Sequence, residues 1–216
     1  EIITNLQLEH DTYQKIILGD VNNYIAVNTP KVVDYDTMLG IKAENPHYLI
    51  KRQHVGAYEV SAVKCKGRFE FHDLALHKNK SHAVVAKAIF YYFVHGIDPE
   101  EYIKKQTNIF DFCAGKKIKG DWRFVQEYIE NGEHRRDEVQ NTIRYYVSNK
   151  GNKIIKHNYV DNRETHVEAG KWLQTLFINA EMKDISEYDL NYDYYLKRVM
   201  KEIHNLEPIK NQLSLF

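Results

Sequence analysis

Hydrophobic and polar positions in the first third of the chain predict strands. The run 20–27, with the sequence DVNNYIAV, is typical of a strand that ends at Thr29 and Pro30. The segment 57–63 predicts a second strand. Because strand side chains alternate with a period of two, we expect one face to carry Tyr58, Val60, Ala62 and Lys64. Residues 31–54 mix short apolar pieces with turn-forming residues and are interpreted as a loop or insertion.

The middle of the chain predicts a strong helix over 82–95. Ser81 is a residue type that caps helix N-termini, and Gly96 suits the left-handed position after a helix ends. The apolar residues of this segment cover more than one stripe of the helix, which indicates that it is largely buried.

Two shorter helices are expected after it. Asp98 followed by Pro99 combines a capping side chain with a proline at the first helical position. Asn108 predicts the cap of a third helix, which we expect to end at Gly115.

The pattern changes to strands in the last third. Segments 121–129 and 141–148 are predicted strands, joined by a polar stretch. The tetrapeptide 149–152 is a hairpin turn signal, so 153–157 is expected to pair back as the next strand. The segment 167–177 is ambiguous, and a helix after Gly170 is one interpretation.

Asn191 is expected to cap a final helix over 192–206, which Pro208 stops. Its apolar residues recur at helical spacing and predict a single buried face. That face consists of Tyr195, Leu196, Val199, Ile203 and Leu206.

Together these elements predict an α+β fold. It would have a short N-terminal sheet remnant, a helical middle, a β-hairpin and a long C-terminal helix with a flexible tail. We expect three regions, namely a sheet region over 1–75, an α+β domain over 76–207, and a linker with a tail over 208–216.

Composition gives the chain no global electrostatic attraction to nucleic acid, since 30 basic residues balance 30 acidic ones. Any nucleic-acid binding must therefore come from local basic clusters.

Cys65 and Cys113 fit no zinc spacing and predict reduced thiols in a cytoplasmic protein. No run of 18 apolar residues occurs, so no membrane partner is expected. Glu1 as the first residue favours an omitted initiator Met or a piece of a longer polypeptide.

The last five residues have the sequence QLSLF. This pentapeptide resembles the motif by which bacterial polymerases and repair factors bind the replicative sliding clamp. The amide of Gln212 can donate and accept hydrogen bonds, while Leu213, Leu215 and Phe216, spaced by Ser214, offer three large apolar groups to a groove. The alternative is that this apolar terminus folds back onto its own core.

A basic element follows the second predicted strand. Lys64 and Lys66 are two residues apart and so point from one face of an extended chain. Gly67 would let the backbone approach a phosphate, and Arg68 adds a third charge. The alternative is a solvated edge strand.

Further basic clusters lie later in the chain, and each could equally be a solvated face. One consists of Lys116, Lys117 and Lys119, and another of Lys150, Lys153, Lys156 and His157. The run Arg144, Tyr145 and Tyr146 mixes base and aromatic in a way that suits a groove wall, although alternating tyrosines are also typical of a core.

Metal chemistry is not expected in this chain. Asp34 and Asp36 form a D-x-D pair that is interpreted as a loop pair. The spacing of five between His72, His77 and His82 suits one face of neither a helix nor a strand.

Several of these pieces resemble the final third of phage-type family B DNA polymerases. They are DVNNYIAV, KCKGRFEF with the following 76–81, and the later segments 109–113, 143–148, 167–172 and 191–195. In that family a palm strand precedes a K-x-K-G-like element that holds primer–template duplex, and a thumb domain follows. The resemblance thus implies a palm end over 1–75 and a thumb over 76–207.

The chain departs from the family in its chemistry. Polymerases hold Mg²⁺ with carboxylates on a Tyr-Gly-Asp-Thr-Asp hairpin and an upstream Asp, and neither motif occurs here. We therefore expect no catalytic residue and no cofactor in this chain, Mg²⁺ being expected only in a complete polymerase. The resemblance implies a DNA-gripping part or split subunit in the cytoplasm of a bacterial host, with the clamp, primer–template DNA and the catalytic part as partners. The alternatives are a stand-alone factor that competes for the host clamp, and a small nuclease using Asp34 and Asp36.

Overall fold

The structure is a computed structural model that describes most of the chain in two compact units, Glu1–Glu70 and Phe71–Phe216. The described residues are 12–44, 47–72, 79, 81–139, 141–150, 152–168, 171–172 and 184–207. The predicted α+β class is confirmed, with antiparallel sheets in both units and a long helix as the last described element.

The part of the first unit that the structure describes is an antiparallel sheet with one α-helix. Its elements are β1 (Tyr13–Asp20), β2 (Asn23–Asn28), β3 (Lys31–Val33), α1 (Tyr35–Glu44), β4 (Tyr48–His54), β5 (Ala57–Cys65) and a 3₁₀ turn (Gly67–Phe69). The strand order is β1-β2-β5-β3, and β4 also pairs with β5. The predicted strand 57–63 is thus confirmed as part of β5.

Two predictions for this unit are wrong. The strand predicted over 20–27 is found only from Asn23 onward, as β2, because Asp20 ends β1 and a turn at residues 21–22 separates the two strands. The segment 31–54 is not a loop but contains β3, α1 and β4. Helix α1 begins where Asp34 Oδ1 accepts a hydrogen bond from the backbone N–H of Thr37 at 2.8 Å. The strand β4 ends in four polar residues, so it carries no apolar alternation that would reveal it.

The sheet buries one face where β1, β2 and β5 run side by side. The buried side chains are Ile17, Ile25, Val27, Val63 and Cys65. Phe69 of the 3₁₀ turn is fully buried as well. The opposite face carries the alternate residues of the same strands, among which Ala26 is also fully buried, whereas Ile16, Leu18 and Lys64 are exposed.

The described residues of the second unit form three α-helices and two sheets. Its elements are α2 (Ala83–Phe90), a π-helical turn (Tyr91–His95), α3 (Pro99–Lys104), 3₁₀ turns at Ile109–Phe112 and Ile185–Glu187, β6 (Cys113–Lys117), β7 (Trp122–Glu130), β8 (Glu133–Val139), β9 (Thr142–Tyr146), β10 (Lys153–Asn158), β11 (Glu164–Glu168), β12 (Lys171–Trp172) and α4 (Tyr192–Leu206). The sheet orders are β11-β10-β7-β8 and β12-β9-β6.

The predicted hairpin around 149–152 is wrong. Strand β10 does follow it, but β10 pairs with β7 and β11, whereas β9 pairs with β6 and β12 in the other sheet. A hairpin lies instead at Asn131 and Gly132, whose φ angles of 53° and 82° suit a tight turn between β7 and β8. The polar stretch between the predicted strands is therefore itself the strand β8. The segment 167–177 contains the end of β11 and all of β12, so the helix interpretation after Gly170 is wrong for 171–172. Residues 169–170 and 173–177 lie outside the described part.

Helices α3 and α4 of the second unit begin at their predicted capping residues. The side chains of Asp98 and Asn191 accept hydrogen bonds from the backbone N–H groups of Glu101 and Tyr194, both at 3.0 Å, at the predicted starts of α3 and α4. Helix α2 begins one residue later than expected, with His82 instead of Ser81 at the cap position.

The third predicted helix is shorter than expected. Asn108 caps it as predicted, by accepting a hydrogen bond from Phe110 at 3.0 Å. It is a single 3₁₀ turn that ends at Phe112, because Cys113 already starts β6. Gly115 therefore lies inside a strand.

One part of the core of the second unit lies between its two sheets. Phe124 and Ile154 of one sheet meet Ala114, Ile143 and Tyr145 of the other. Among the helices that the structure describes, none has both the length and the apolar character needed to cross a lipid bilayer.

Candidate nucleic-acid interface

The turn between β1 and β2 is organised by Asp20. Its Oδ1 accepts a hydrogen bond from the backbone N–H of Asn22, and both carboxylate oxygens accept from Nδ2 of Asn23, all at 2.9 Å. The Asn23 side chain, followed by the Asn22 amide and the nearby charge of Arg68, holds the pKa of Asp20 below its ordinary value. Because Nδ2 of Asn23 donates to Asp20, the Oδ1 atom of Asn23 faces other donors.

Gly67 lies directly against this turn. Its φ angle is 63°, and a Cβ at this position would lie 2.3 Å from the carbonyl oxygen of Asn22 and 2.3 Å from Oδ1 of Asn23. The backbone N–H of Arg68 donates to the same Oδ1 at 2.8 Å. We expected the backbone at Gly67 to approach a phosphate closely. It instead approaches the β1–β2 turn, and this contact fixes the chain just after β5.

The lysines of the K-x-K-G element occupy the expected positions on the segment that this contact fixes. Lys64 and Lys66 are exposed and flank Cys65, which is buried. The backbone N–H of Lys66 donates to the carbonyl of Tyr24 at 2.9 Å, so the element stays attached to β2 beyond the end of β5. The guanidinium of Arg68 lies 5.1 Å from the ring centre of Phe69. The structure therefore presents three positive side chains over five residues of a fixed backbone.

The thiol of Cys65 is unsuited to nucleophilic chemistry. Burial, with a smaller effect of Glu70, raises its pKa to about 12. Cys113 is also a free buried thiol, and burial raises its pKa too. Both side chains serve as small core residues.

The second basic cluster does not form one surface. Lys116, Lys117 and Lys119 are exposed, at and just beyond the end of β6. Because neighbouring strand residues point to opposite faces, Lys116 and Lys117 diverge. Ile118 packs against the core between the sheets, which anchors the chain between these lysines.

The third cluster is also divided. Lys153 and Lys156 are three residues apart in β10 and lie on opposite faces of its sheet. Lys153 lines a cleft of about 410 Å³ together with Ile155 and two carboxylate residues, Glu127 and Glu164.

The carboxylates of this cleft have basic partners within the sheet. Arg136 forms ion pairs with Glu127, at 3.1 Å, and with Glu164, and Nδ1 of His157 lies 3.0 Å from Glu164. Mainly because of Arg136, the pKa of Glu164 lies below its ordinary value. The cleft is therefore electrostatically mixed, and a phosphate there would meet negative as well as positive charge.

The run Arg144, Tyr145 and Tyr146 belongs to the core. Tyr145 and Tyr146 are 0% and 2% exposed, and the guanidinium of Arg144 lies 5.8 Å from the ring centre of Phe110. The hydroxyl of Tyr146 donates to Asp189 at 2.6 Å, and burial raises its pKa strongly. The expectation of a groove wall is replaced by the core interpretation.

The D-x-D pair is divided between two structural positions. Asp34 caps α1, and its hydrogen bonds with Thr37 hold its pKa below the ordinary value. Asp36 lies in the first turn of the helix. Within the described ranges, no group of three or more His, Cys, Asp or Glu side chains is placed to hold a metal ion. His82 lies with Nδ1 2.8 Å from the carbonyl oxygen of Phe112, and His77 lies outside the described residues.

The remaining predicted site, the clamp peptide at 212–216, also lies outside the described residues. Sequence reasoning missed Asp20 and Asn23 as the residues that support the lysines. The pair Asn22 and Asn23 is a turn signal between two apolar runs and could have revealed them. It also missed β1, although the run Lys15–Leu18 is rich in β-branched and apolar residues.

Comparisons of the chain with protein-family models, with curated proteins and with solved structures find no significant match in any of the three. The resemblance to phage-type family B polymerases therefore stands on the sequence motifs quoted above.

Proposed function

We propose that this chain is the duplex-gripping C-terminal part, or a split subunit, of a phage-like replicative DNA polymerase. It works in the cytoplasm of a bacterial host, and its last five residues tether it to the sliding clamp. Mg²⁺-dependent chemistry belongs to a separate catalytic part, since neither carboxylate motif of the family occurs in this sequence.

The observation that carries the proposal is the arrangement at the end of β5. Lys64 and Lys66 are exposed on a backbone that Gly67 and Asn23 hold in place. Phosphate contacts from a fixed backbone cost less ordering entropy than contacts from a loop, so this element suits a site that must hold duplex repeatedly.

The DNA part of the proposal is tested with the double variant Lys64→Ala/Lys66→Ala. We expect its affinity for a primer–template duplex to fall about tenfold or more at low salt, because two phosphate contacts are lost. The matched control is Lys104→Ala/Lys105→Ala at the C-terminal end of α3, which removes the same charge from exposed lysines that pair with Glu100 and Glu101. Equal losses in the two variants would mean that only net charge matters and would contradict the proposal.

The clamp tether is tested separately with Leu215→Ala/Phe216→Ala. We expect this change to abolish capture of a purified bacterial sliding clamp, since two of the three apolar anchors are removed. Lys210→Ala in the preceding linker is the control and should leave capture intact. Retained capture in the double variant would contradict the tether.

The alternative, a stand-alone factor that competes for the host clamp, is supported by the same QLSLF peptide. It predicts clamp capture without specific duplex binding. A chain that captures the clamp but responds identically to the Lys64/Lys66 and Lys104/Lys105 double substitutions would favour this alternative.

A further inference from the structure

The face of the first sheet that carries Lys64 continues across two more strands. Lys64 in β5 lies opposite Ala26 in β2, and Ala26 lies opposite Ile16 in β1. One step along, the carbonyl of Tyr24 accepts from the Lys66 backbone, and Tyr24 lies opposite Leu18. Because directly opposed residues of antiparallel strands share a face, Ile16 and Leu18 stand on the same side of the sheet as Lys64.

This part of β1 exposes its apolar side chains outward. Ile16 is 52% and Leu18 is 61% exposed, whereas Ile17 between them is 6% exposed and belongs to the core. Two large apolar groups on one face, beside lysines, form a strip that a solvated edge strand does not need. We call Ile16 and Leu18 the β1 strip. Ala26, which lies between Ile16 and Lys64, is fully buried and is not part of the exposed surface.

The positive side chains beside the β1 strip indicate the kind of partner that binds to the strip. Lys64 lies in the same cross-strand row, and Lys66 and Arg68 follow it along the chain. The single carboxylate of β1, Asp20, is tied into the β1–β2 turn by Asn22 and Asn23. An apolar strip bordered by cations matches the edge of a nucleic-acid duplex, where deoxyribose carbons lie between rows of phosphates.

We infer that the β1 strip lies against the deoxyribose edge of the same duplex whose phosphates Lys64 and Lys66 contact. Ile16 and Leu18 thus contribute a non-ionic part of the binding, beside the ionic part from the lysines. This inference rests on the proposed function and adds the contact surface that adjoins the lysines.

The two parts differ in their response to salt. Each lost phosphate contact lowers the slope of log K against log salt by about 0.9, whereas a lost apolar contact leaves the slope unchanged. The experiment measures binding of a 16-base-pair DNA duplex to the full chain over a range of NaCl concentrations. Its variants are Ile16→Thr/Leu18→Thr and Lys64→Ala/Lys66→Ala, and threonine is chosen because it keeps strand propensity while removing apolar surface.

The matched control is Val32→Thr. Val32 is 68% exposed and lies opposite Glu59 in β5, on the other face of the same sheet. We expect the Ile16/Leu18 variant to bind about tenfold more weakly at every salt concentration with an unchanged slope, and Val32→Thr to bind normally. Thermal unfolding of each variant shows that the fold is retained.

The outcomes separate this inference from the proposed function. If the lysine variant weakens binding and flattens the slope while the Ile16/Leu18 variant binds normally, the inference is overturned and the β1 strip is left to a protein partner. If the lysine variant also binds normally, or the unaltered chain does not bind the duplex, the proposed function fails as well. A loss in the Ile16/Leu18 variant that comes with a flatter slope would likewise contradict a non-ionic contact.

Discussion

Gly67 and Asn23 meet so closely that no side chain fits between them. A Cβ on Gly67 would lie 2.3 Å from Oδ1 of Asn23, the same oxygen that accepts a hydrogen bond from the backbone of Arg68. The two residues are far apart in sequence, and their contact joins the β1–β2 turn to the chain that carries the lysines. The position of Lys66 and Arg68 therefore depends on a glycine that touches a turn.

Substituting Gly67→Ala should destabilise the first unit markedly. The alanine would adopt an unfavourable positive φ and also collide with the Asn22 carbonyl, so we expect a loss of about 2–4 kcal/mol in the free energy of unfolding. Urea denaturation measures it. The control is Gly56→Ala, whose φ is 80° but whose Cβ would meet nothing within 4 Å, so it should cost only about 1 kcal/mol. Equal losses for the two variants would show that the contact with the turn is unimportant.

Removing Lys153 should change duplex affinity less than removing Lys64. Lys153 shares its cleft with Glu127 and Glu164, so its charge is partly offset where a phosphate would bind. We expect Lys153→Ala to lower affinity less than about twofold, and Lys64→Ala about three- to tenfold, at the same low salt concentration. Fluorescence anisotropy with a labelled duplex compares them directly. A larger loss for Lys153→Ala would move the DNA-binding site to the second unit.

The hydroxyl of Tyr195 should be important for the stability of the second unit. It donates to the carbonyl of Phe112 at 2.7 Å and accepts from the N–H of Val147 at 2.8 Å, and its side chain is fully buried. Tyr195→Phe leaves both backbone groups without this partner and should cost about 1–3 kcal/mol, measured by chemical denaturation. Tyr194→Phe is the control, since its hydroxyl accepts from Arg198 in an exposed pair and should matter little. An equal effect of the two variants would argue against a buried bridge.

The cap of α1 should make the first unit sensitive to acid. The hydrogen bonds of Asp34 with Thr37 depress its folded pKa, so its stabilising effect is complete above the unfolded pKa of about 3.9 and is lost as pH falls through the lower folded value. Asp34→Ala should therefore lower the melting temperature at pH 7 and have little effect near pH 2.

Asp36→Ala is the control for this cap, because Asp36 lies in the first turn of α1 and Asp34 provides the capping bond. A pH-independent difference between Asp34→Ala and the unaltered chain would contradict the cap. Mg²⁺-dependent DNA nicking that is lost on Asp34→Asn would instead support the nuclease alternative.

Much of the helical structure could be predicted because helix caps are local. Asp98 and Asn191 bond to backbone groups three residues away, so the sequence around each cap contains the whole signal. The bounds of α4 match the prediction, and four of the five residues predicted on its buried face are buried. Leu196 is partly exposed.

Polar strands could not be predicted in the same way. Strand β8 has the sequence EHRRDEV and shows no apolar alternation. It is held by its pairing with β7 and by cross-strand ion pairs such as Arg123 with Glu138 and Arg136 with Glu127. The predicted pairing partner of β10 was wrong for a related reason. A turn signal beside a strand does not determine which distant strand pairs with that strand.

The candidate site likewise has features that local sequence could predict and features that it could not. That Lys64 and Lys66 point to the same side of the chain followed from their spacing of two residues, which is local. The role of Gly67 did not, because its neighbours Asn22 and Asn23 belong to a turn more than 40 residues earlier. The separation of Lys153 from Lys156 could have been predicted, since three residues along a strand always reverse the face.

The salt dependence of duplex binding shows whether Lys64 and Lys66 contact DNA phosphates. Titration of a primer–template duplex with the unaltered chain and with Lys64→Ala/Lys66→Ala gives the slope of log K against log salt for each. We expect the slope of the variant to be smaller in magnitude by about 1.8, which corresponds to two lost phosphate contacts. Identical slopes and affinities for the two proteins would contradict it.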